Sequence, residues 1–374
     1  MELRRFFALF TCAVLPVLAL AAALRFLPAD PASAPVRQAD GVSAPASPEL
    51  VLPERALPEL VLSMPVTADK PAVPAMAAAE VQAAARPDPQ EACRDGALTL
   101  RLLAGDQVLT LTMEDYLRGV VAAEMPASFP LEALKAQAVA ARTDTLYRMQ
   151  TARPHLEADC CAEAACCKAY RTDAELRDAW GADYADNLSR IRQAVAETDG
   201  QVLRYDGEPI FAAFHAASPG STESSEHVWI TALPYLRSVE SAESADRVPA
   251  FYSAVTLSYP ALQESLSAAC PDWSPEGEPA FWLHDAEYTE SGRLKQVSLG
   301  TETLSGTALR AALGLRSAAV TWTCGQTGIR FETAGYGHGV GMSQYGAEAM
   351  ALDGATHGEI LAHYYTGAEL GLIE

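Results

Sequence analysis

The sequence predicts an α+β fold, with helices and strands mixed along one large domain. Two observations predict this class. Stretches with the two-residue period of strands are interspersed with stretches of helical period, and their order follows no regular βαβ rhythm. Of the 374 residues, 49% are hydrophobic, which provides a substantial core and excludes a chain that is disordered throughout.

Residues 1–27 are predicted to be a signal anchor that crosses the membrane once. Arg4 and Arg5 precede an uncharged run from Phe6 to Leu24. The run is close to the length of a transmembrane helix, and the two arginines are expected to stay inside. The alternative is a cleaved signal peptide, and both interpretations export the rest of the chain.

Residues 28–92 are predicted to be a flexible linker. Proline, alanine, serine and glutamate are interleaved over this stretch, a composition that favours exposed, extended chain over a packed core. The globular domain is therefore predicted to span residues 93–374.

This domain is predicted to begin with a β-hairpin. Apolar, β-rich runs over Ala97–Ala104 and Gln107–Thr112 are separated by Gly105 and Asp106, residues that suit a tight turn between strands.

A helix is predicted next, with Thr112 as its N-cap and Asp115 three residues later. The helix must end at or near Glu124. Met125 precedes Pro126, and the residue before a proline is disfavoured in helical conformation.

A second, alanine-rich helix is predicted over Leu131–Met149, and its Lys135 and Arg142 share one face. The same periodicities predict the remaining elements: helices over Asp173–Trp180 and Asn187–Thr198, strands over Gln201–Tyr205, Pro209–His215, Ala254–Ser258 and Lys295–Leu299, and a last helix that Thr356 and Glu359 cap and that ends near Gly367.

The charge balance excludes a general affinity for nucleic acid. The chain has 27 Lys and Arg against 48 Asp and Glu, a net charge of −21. Nucleic-acid binding depends on basic residues that contact phosphates.

Glu124 is the candidate general acid. It lies at the predicted C-terminal end of a helix among apolar neighbours. The helix dipole and the apolar surroundings both disfavour the ionised carboxylate and raise its pKa. A raised pKa suits a group that donates a proton near neutral pH. An exposed glutamate at a helix end is the alternative on composition alone.

A cluster of histidine and cysteine is the candidate metal site. His155 is followed by Cys160, Cys161, Cys166 and Cys167, and these ligand types can close a tetrahedral zinc site. Disulfides are the alternative in an exported region. Adjacent cysteines make awkward disulfide partners, which favours zinc.

The cysteines at 270 and 324 are then free to form a disulfide, although the sequence does not fix the connectivity.

A glycine-rich stretch, Gly335–Ala347, is the candidate ligand-binding loop. Its alternating glycines are expected to let the backbone approach a ligand closely, with His338, Gln344 and Tyr345 as polar and aromatic contacts. A tight turn before a buried strand is the alternative.

Together these segments resemble the stage II sporulation protein D family. The resemblance is collinear and covers roughly residues 93–374. It is carried by Tyr116–Pro126, Leu134–Thr143, Thr198–Leu203, Tyr235–Val239, Gly337–Gln344 and His363–Gly367.

The resemblance implies a lytic transglycosylase, anchored in the cell membrane on the mother-cell side of the septum. The enzyme would cleave peptidoglycan glycan strands during engulfment, with Glu124 as the catalytic acid. It also implies that the cluster of histidine and cysteine can hold a structural zinc ion at His155, Cys161 and Cys167. Cys166 is a fourth candidate, and the additional Cys160 leaves the ligand set open. His215 joins the three residues of the glycine-rich stretch as a predicted substrate contact.

Lys135 and Arg142 are predicted to bind the lactyl carboxylate of peptide-stripped strands, which a partner amidase would supply. Pairing of both cations with surface acids is the alternative. Two other functions stay open: a non-catalytic amidase enhancer that binds the wall, and a zinc-dependent wall hydrolase. The hydrolase is disfavoured because a site rich in cysteine suits structural zinc.

Overall fold

The computed structural model describes residues 94–151, 155–229 and 231–373. The predicted anchor, residues 1–27, and the predicted linker, residues 28–92, lie outside the described residues. Within the described part of the chain, no helix combines the length and apolar character needed to cross a bilayer.

The described residues mix helices with short strands, which confirms the α+β class. The helices are α1 (Met113–Glu124), α2 (Leu131–Thr151), α3 (Asp173–Trp180), α4 (Tyr184–Glu197), α5 (Glu226–Trp229), α6 (Tyr259–Ala269), α7 (Gly306–Leu313), α8 (Gln344–Leu352) and α9 (His357–Tyr364).

Within the described ranges, the strands form five small sheets. They are β1 (Thr99–Ala104), β2 (Gln107–Thr112), β3 (Cys160–Cys161), β4 (Gln201–Tyr205), β5 (Glu208–Pro209), β6 (Phe214–His215), β7 (Tyr252–Ser258), β8 (Leu283–Tyr288), β9 (Leu294–Leu299), β10 (Glu302–Ser305), β11 (Val320–Cys324), β12 (Gly328–Ala334), β13 (Met342–Ser343) and β14 (Glu369–Leu372). The sheet orders are β2-β1-β3, β14-β4-β5, β13-β6, β11-β12-β7 and β10-β9-β8.

The first hydrophobic core surrounds α2, which contacts α1, α4, α8 and α9. The alanines of α2 allow this close packing, since Ala136, Ala138, Ala140 and Ala141 are fully buried. The C-terminal helices thereby pack against the N-terminal helix pair, and this arrangement brings distant parts of the sequence to one site.

A second core lies within the segment that begins at β7 and ends at β12. Here α6 and α7 pack against β7, β9, β10 and β12 around Leu262, Val297, Leu309 and Phe331. The segment leaves the first core before β7 and returns to it after β12. Its connection between α7 and β11 contributes one wall of the site described below.

The structure confirms most predicted elements. The hairpin pairs Thr99 with Thr112 and Ala104 with Gln107. The hydroxyl of Thr112 accepts the N–H of Asp115, so it caps α1 as predicted. The predicted strand over Pro209–His215 is wrong for most of its length, because only its two ends pair with neighbours.

Candidate active site

Glu124 is the last residue of α1. The next residue, Met125, has extended backbone angles, as expected before Pro126, and its N–H still closes the helix on Val121 O. The Glu124 carboxylate accepts two hydrogen bonds, from the Ala169 N–H at 3.0 Å and from Gln344 Nε2 at 3.3 Å.

The pKa of Glu124 is raised from its ordinary value, as the sequence predicts. Burial is the main cause, because it penalises the ionised form. The two hydrogen bonds and the nearby Lys168 ammonium act in the opposite direction but do not cancel the effect of burial.

A glycine of α1 brings the chain that follows the cysteine cluster close to Glu124. A Cβ at Gly119 would lie 2.2 Å from the ring of Tyr170 and 2.7 Å from Arg171 O. The Arg171 N–H also donates to Gly119 O. Glycine therefore lets residues 169–171 lie directly on the helix, where the Ala169 N–H reaches the carboxylate.

Gln344 is oriented by a second amide. Its Nε2 donates to Gln137 Oε1 at 3.4 Å as well as to Glu124. Gln137 lies on α2 and is fully buried, and its own Nε2 has no hydrogen-bond partner among the described residues. The two glutamines thus hold one donor against the acid.

Glu124 and Gln344 line a cavity of about 220 Å³. Aromatic side chains form much of its wall, and one guanidinium reaches it. Its lining includes Glu124, Phe129, Arg316, Tyr336, Gln344 and Tyr345. Glu124 is the only carboxylate among the described lining residues, and Arg316 is the only cation.

The predicted metal ligands come together beside this site. His155, Cys161, Cys166 and Cys167 offer ligand atoms that all lie within 4.8 Å of one another. Cys166 Sγ and Cys167 Sγ lie 3.6 and 3.7 Å from His155 Nε2, and 3.9 Å from each other.

The distances among His155, Cys166 and Cys167 suit zinc. Ligand atoms about 2.0–2.3 Å from a tetrahedral zinc ion lie roughly 3.5–3.8 Å from one another. Cys161, the first cysteine of the set, lies in β3 and is positioned by the pairing of β3 with β1. Cys160 lies beside Tyr116 and is not one of the four residues whose ligand atoms come together. Cys270 and Cys324 are both free thiols.

The glycine-rich stretch approaches the chain's own backbone and side chains, which corrects its interpretation as a ligand-approach loop. A Cβ at Gly341 would lie 2.0 Å from Ala213 O, and one at Gly339 would lie 2.4 Å from Arg293 Nε. Both glycines also have positive φ. The stretch therefore serves to pack β13 and α8, which place Gln344 and Tyr345 at the cavity.

The two predicted histidines do not line the cavity. His215 is buried and uses both ring nitrogens, with Val340 O at 3.2 Å and Ser218 Oγ at 2.6 Å. His338 packs against the His215 and Trp229 rings, and burial lowers its pKa to about 4. Both are neutral packing residues at physiological pH.

Lys135 and Arg142, the predicted carboxylate-binding residues, do not line the cavity, and both cations are engaged elsewhere. Lys135 pairs with Glu132 and Glu197. Arg142 is fully buried, and its guanidinium contacts the Asp95 carboxylate, with Nε at 2.8 Å from Oδ1. Its Nη1 donates to a backbone carbonyl.

The contributors to the site that were not predicted include Phe129 and Gln137, and also a backbone group, a tyrosine and an arginine. The Ala169 N–H is a backbone group, which no side-chain pattern reveals. Tyr336 lies within the glycine-rich stretch, and its position in that stretch was the only indication in the sequence that it contributes to the site. Arg316 lies between α7 and β11, in a segment without any motif.

Comparisons with known proteins identify relatives of this chain. A family model described as "Stage II sporulation protein" matches residues 104–205, which contain Glu124 and all four metal-ligand candidates. Stage II sporulation protein D of Bacillus subtilis (strain 168) is 37% identical over 270 residues, which cover 71% of this chain and 76% of that protein. The Bacillus amyloliquefaciens protein of the same name is 37% identical over 266 residues, or 70% of this chain and 75% of that protein.

A second kind of relative carries a different name. The "Amidase enhancer" of Bacillus subtilis (strain 168) is 31% identical over 305 residues, which cover 68% of this chain and 40% of that protein.

Proposed function

Because the chain belongs to the stage II sporulation protein D family, we propose that it is a lytic transglycosylase that cleaves peptidoglycan glycan strands. The observation that carries the proposal is Glu124, a carboxyl group with a raised pKa at the edge of an aromatic-lined cavity. Aromatic faces and hydrogen-bonding groups suit the apolar faces and hydroxyls of sugar rings.

One carboxyl group suffices for this reaction. Glu124 protonates the glycosidic oxygen between MurNAc and GlcNAc, and the bond to the MurNAc anomeric carbon breaks. The C6 hydroxyl of the same MurNAc attacks the oxocarbenium-like centre and gives its proton to the ionised Glu124. The products are a 1,6-anhydro-muramoyl end and a free GlcNAc end, and the acid is regenerated.

The composition of the cavity favours this reaction over hydrolysis. Glycosidases that use water ordinarily need two carboxyl groups across the scissile bond. Glu124 is the only one among the described residues that line the cavity, which supports a mechanism in which the substrate supplies its own nucleophile.

The proposal is tested by incubating residues 93–374 with purified glycan strands and analysing the ends by mass spectrometry. We expect 1,6-anhydro-muramoyl ends. Reducing MurNAc ends would indicate a hydrolase, and unchanged strands would contradict an enzymatic function.

The second candidate is a wall-binding activator of an amidase, which the relative named "Amidase enhancer" favours. Such a protein would leave glycan strands intact but would raise the rate at which an added amidase releases stem peptides. Measuring both products in one incubation separates the two functions.

We also propose that the four clustered ligands hold one structural zinc ion. His155, Cys161, Cys166 and Cys167 would bind it and leave no open coordination position, so the metal would stabilise the loop that ends at Ala169. All steps on the glycan remain with Glu124.

We expect about one zinc ion per chain in protein purified without chelator, measured by elemental analysis. Cys167→Ser should lower the zinc content and the melting temperature, because metal binding is coupled to folding of the loop. Cys270→Ser, in the second core, is the control and should keep the zinc content. Metal-free protein in which the thiols of Cys161, Cys166 and Cys167 form disulfides would refute the zinc assignment.

The pH dependence of cleavage should report the hydrogen bond from Gln344. Glu124 acts as an acid only while protonated, so activity falls as pH rises through its pKa. The Gln344 amide stabilises the ionised form and lowers that pKa. Gln344→Leu should therefore move the alkaline limb of the kcat/KM profile to higher pH.

The control is Gln193→Leu, which removes an amide–carboxylate pair on the surface, Gln193 to Glu197. Its profile should match that of the unmodified protein. A limb that stays in place or moves to lower pH in Gln344→Leu would show that this amide does not act on the catalytic acid.

The localisation and partners follow from the same proposal. Residues 1–27 would attach the enzyme to the membrane with residues 93–374 outside the cytoplasm. During engulfment an amidase would remove stem peptides from the strands that this enzyme cleaves. No nucleic acid enters the proposal, given the net charge of −21.

A further inference from the structure

Among the described residues, Arg316 is the one cation that lines the cavity, and no acid pairs with its guanidinium. None of the ion pairs among the described residues includes it, although acids outnumber bases by 48 to 27 in this chain. Its Nε is buried and has no hydrogen-bond partner in the described part of the chain.

The position of Arg316 is fixed by its own backbone. Its carbonyl oxygen accepts the Gly337 N–H at 3.0 Å and Arg310 Nε at 3.3 Å. The next residue, Ser317, is buried and donates its hydroxyl to Ala334 O at 2.6 Å. The guanidinium therefore extends from a stretch of backbone that is tied to its surroundings by hydrogen bonds.

The ring of Tyr336 holds the guanidinium from one side. The central carbon of the Arg316 guanidinium lies 3.9 Å from the ring centroid of Tyr336, which is a close cation–π contact. Such stacking fixes the plane of the guanidinium but satisfies none of its in-plane N–H donors, so these remain available to an acceptor that enters the cavity.

The Nε–H is too deeply buried for a ligand to reach, but the two terminal amines of the guanidinium are not, and they make no hydrogen bond within the described residues. A ligand acceptor that enters the cavity can therefore pair with them. A planar guanidinium with free in-plane donors matches a carboxylate, which it can bind through two parallel hydrogen bonds. From this geometry we infer that Arg316 is a carboxylate-binding residue of the cavity, and that it recognises an anionic group of the glycan substrate near the bond that Glu124 would cleave.

This inference rests on the proposed function for the identity of the substrate. Peptidoglycan offers carboxylates from two sources: the lactyl group of a MurNAc without a peptide, and the stem peptide itself. The chemistry of recognition is the same for both. Strands with and without stem peptides distinguish them, and chitin oligosaccharides, which carry neither group, serve as the neutral reference.

The experiment measures binding in a Glu124→Gln background, so that it does not depend on cleavage. Soluble peptide-stripped strands, peptide-bearing strands and chitin oligosaccharides are titrated into the protein by calorimetry. We expect Arg316→Gln to weaken binding of carboxylate-bearing strands by about tenfold or more, as for other charge-assisted hydrogen bonds, and to leave chitin binding unchanged.

Arg316→Lys should recover part of the loss, since it keeps the charge but not the planar pair of donors. A loss confined to stripped strands assigns the lactyl carboxylate, and a loss confined to peptide-bearing strands assigns the peptide carboxylate. The control is Arg177→Gln, which removes a surface arginine of α3 that pairs with Asp173 and should change none of the affinities.

Two outcomes overturn the inference. In the first, the Arg316→Gln variant and the protein that keeps Arg316 bind all three ligands with equal affinity. In the second, the substitution weakens chitin binding as much as it weakens binding of the carboxylate-bearing strands. Because the Arg316 guanidinium makes no hydrogen bond within the described residues, its removal should leave the melting temperature nearly unchanged. Failure of the proposed function gives a different result, in which carboxylate binding persists but the protein with Glu124 intact produces no anhydro ends.

Discussion

Glu124→Gln is expected to abolish detectable glycan cleavage while the protein still folds and binds its substrate. Glutamine keeps the shape of the side chain and can still accept the Ala169 N–H, but it has no proton to deliver to the glycosidic oxygen. Loss of a general acid costs about 10²–10⁴-fold in rate. The measurement is the rate at which anhydro-muramoyl ends appear, with binding of intact strands as the second readout.

Two other glutamates near the glycine-rich stretch are the controls, and the structure explains why neither replaces Glu124. Glu223 accepts hydrogen bonds from His227, Thr289, Ser291 and the Ser224 N–H. These bonds hold its pKa below its ordinary value in spite of burial.

Glu226 pairs with Arg237, which lowers its pKa. Both groups are therefore ionised at neutral pH and hold no proton to give. Full cleavage by Glu124→Gln, together with loss of cleavage in Glu223→Gln or Glu226→Gln, would move the acid to the other carboxylate.

Arg142→Ala is expected to destabilise the fold by about 3–5 kcal/mol, the usual cost of leaving one member of a buried ion pair without its partner. Arg142 and Asp95 are both almost completely buried, so the truncated variant would leave the Asp95 carboxylate uncompensated. The measurement is the free energy of unfolding from urea denaturation, together with the melting temperature.

The control variant on the same helix is Lys135→Ala. Lys135 pairs with acids that are partly exposed, and pairs of this kind contribute little. The double variant Asp95→Leu, Arg142→Met should recover much of the stability, because both charges are then absent. A selective loss of peptide-stripped strand binding in folded Arg142→Ala would restore Arg142 to the substrate site.

Local signals in the sequence predicted the elements that carry the chemistry. Pro126 fixes the end of α1 and therefore the position of Glu124, and the spacing of the cysteines brings three thiols within reach of His155. These are effects of neighbouring residues, so a single sequence reveals them.

Long-range pairing could not be predicted in this way. No residue near Arg142 in the sequence indicates that Asp95, which precedes the hairpin, neutralises it. That Lys135 and Arg142 share one face of α2 does not show whether this face is buried. The glycines of the glycine-rich stretch signal close approach correctly, but the sequence does not show that the approaching group is Ala213 or Arg293 instead of a ligand.

The pairing of Glu124 with Gln344 has a consequence for when the protein becomes active. The two residues are 220 positions apart, and closing so long a loop slows folding and delays the contact until late. A ribosome makes the acid long before it makes the amide that orients it. In the proposed enzyme, a nascent or truncated chain therefore carries the acid without its support. The complete cavity can form only after α8 and α9 have been synthesised and have packed against α2.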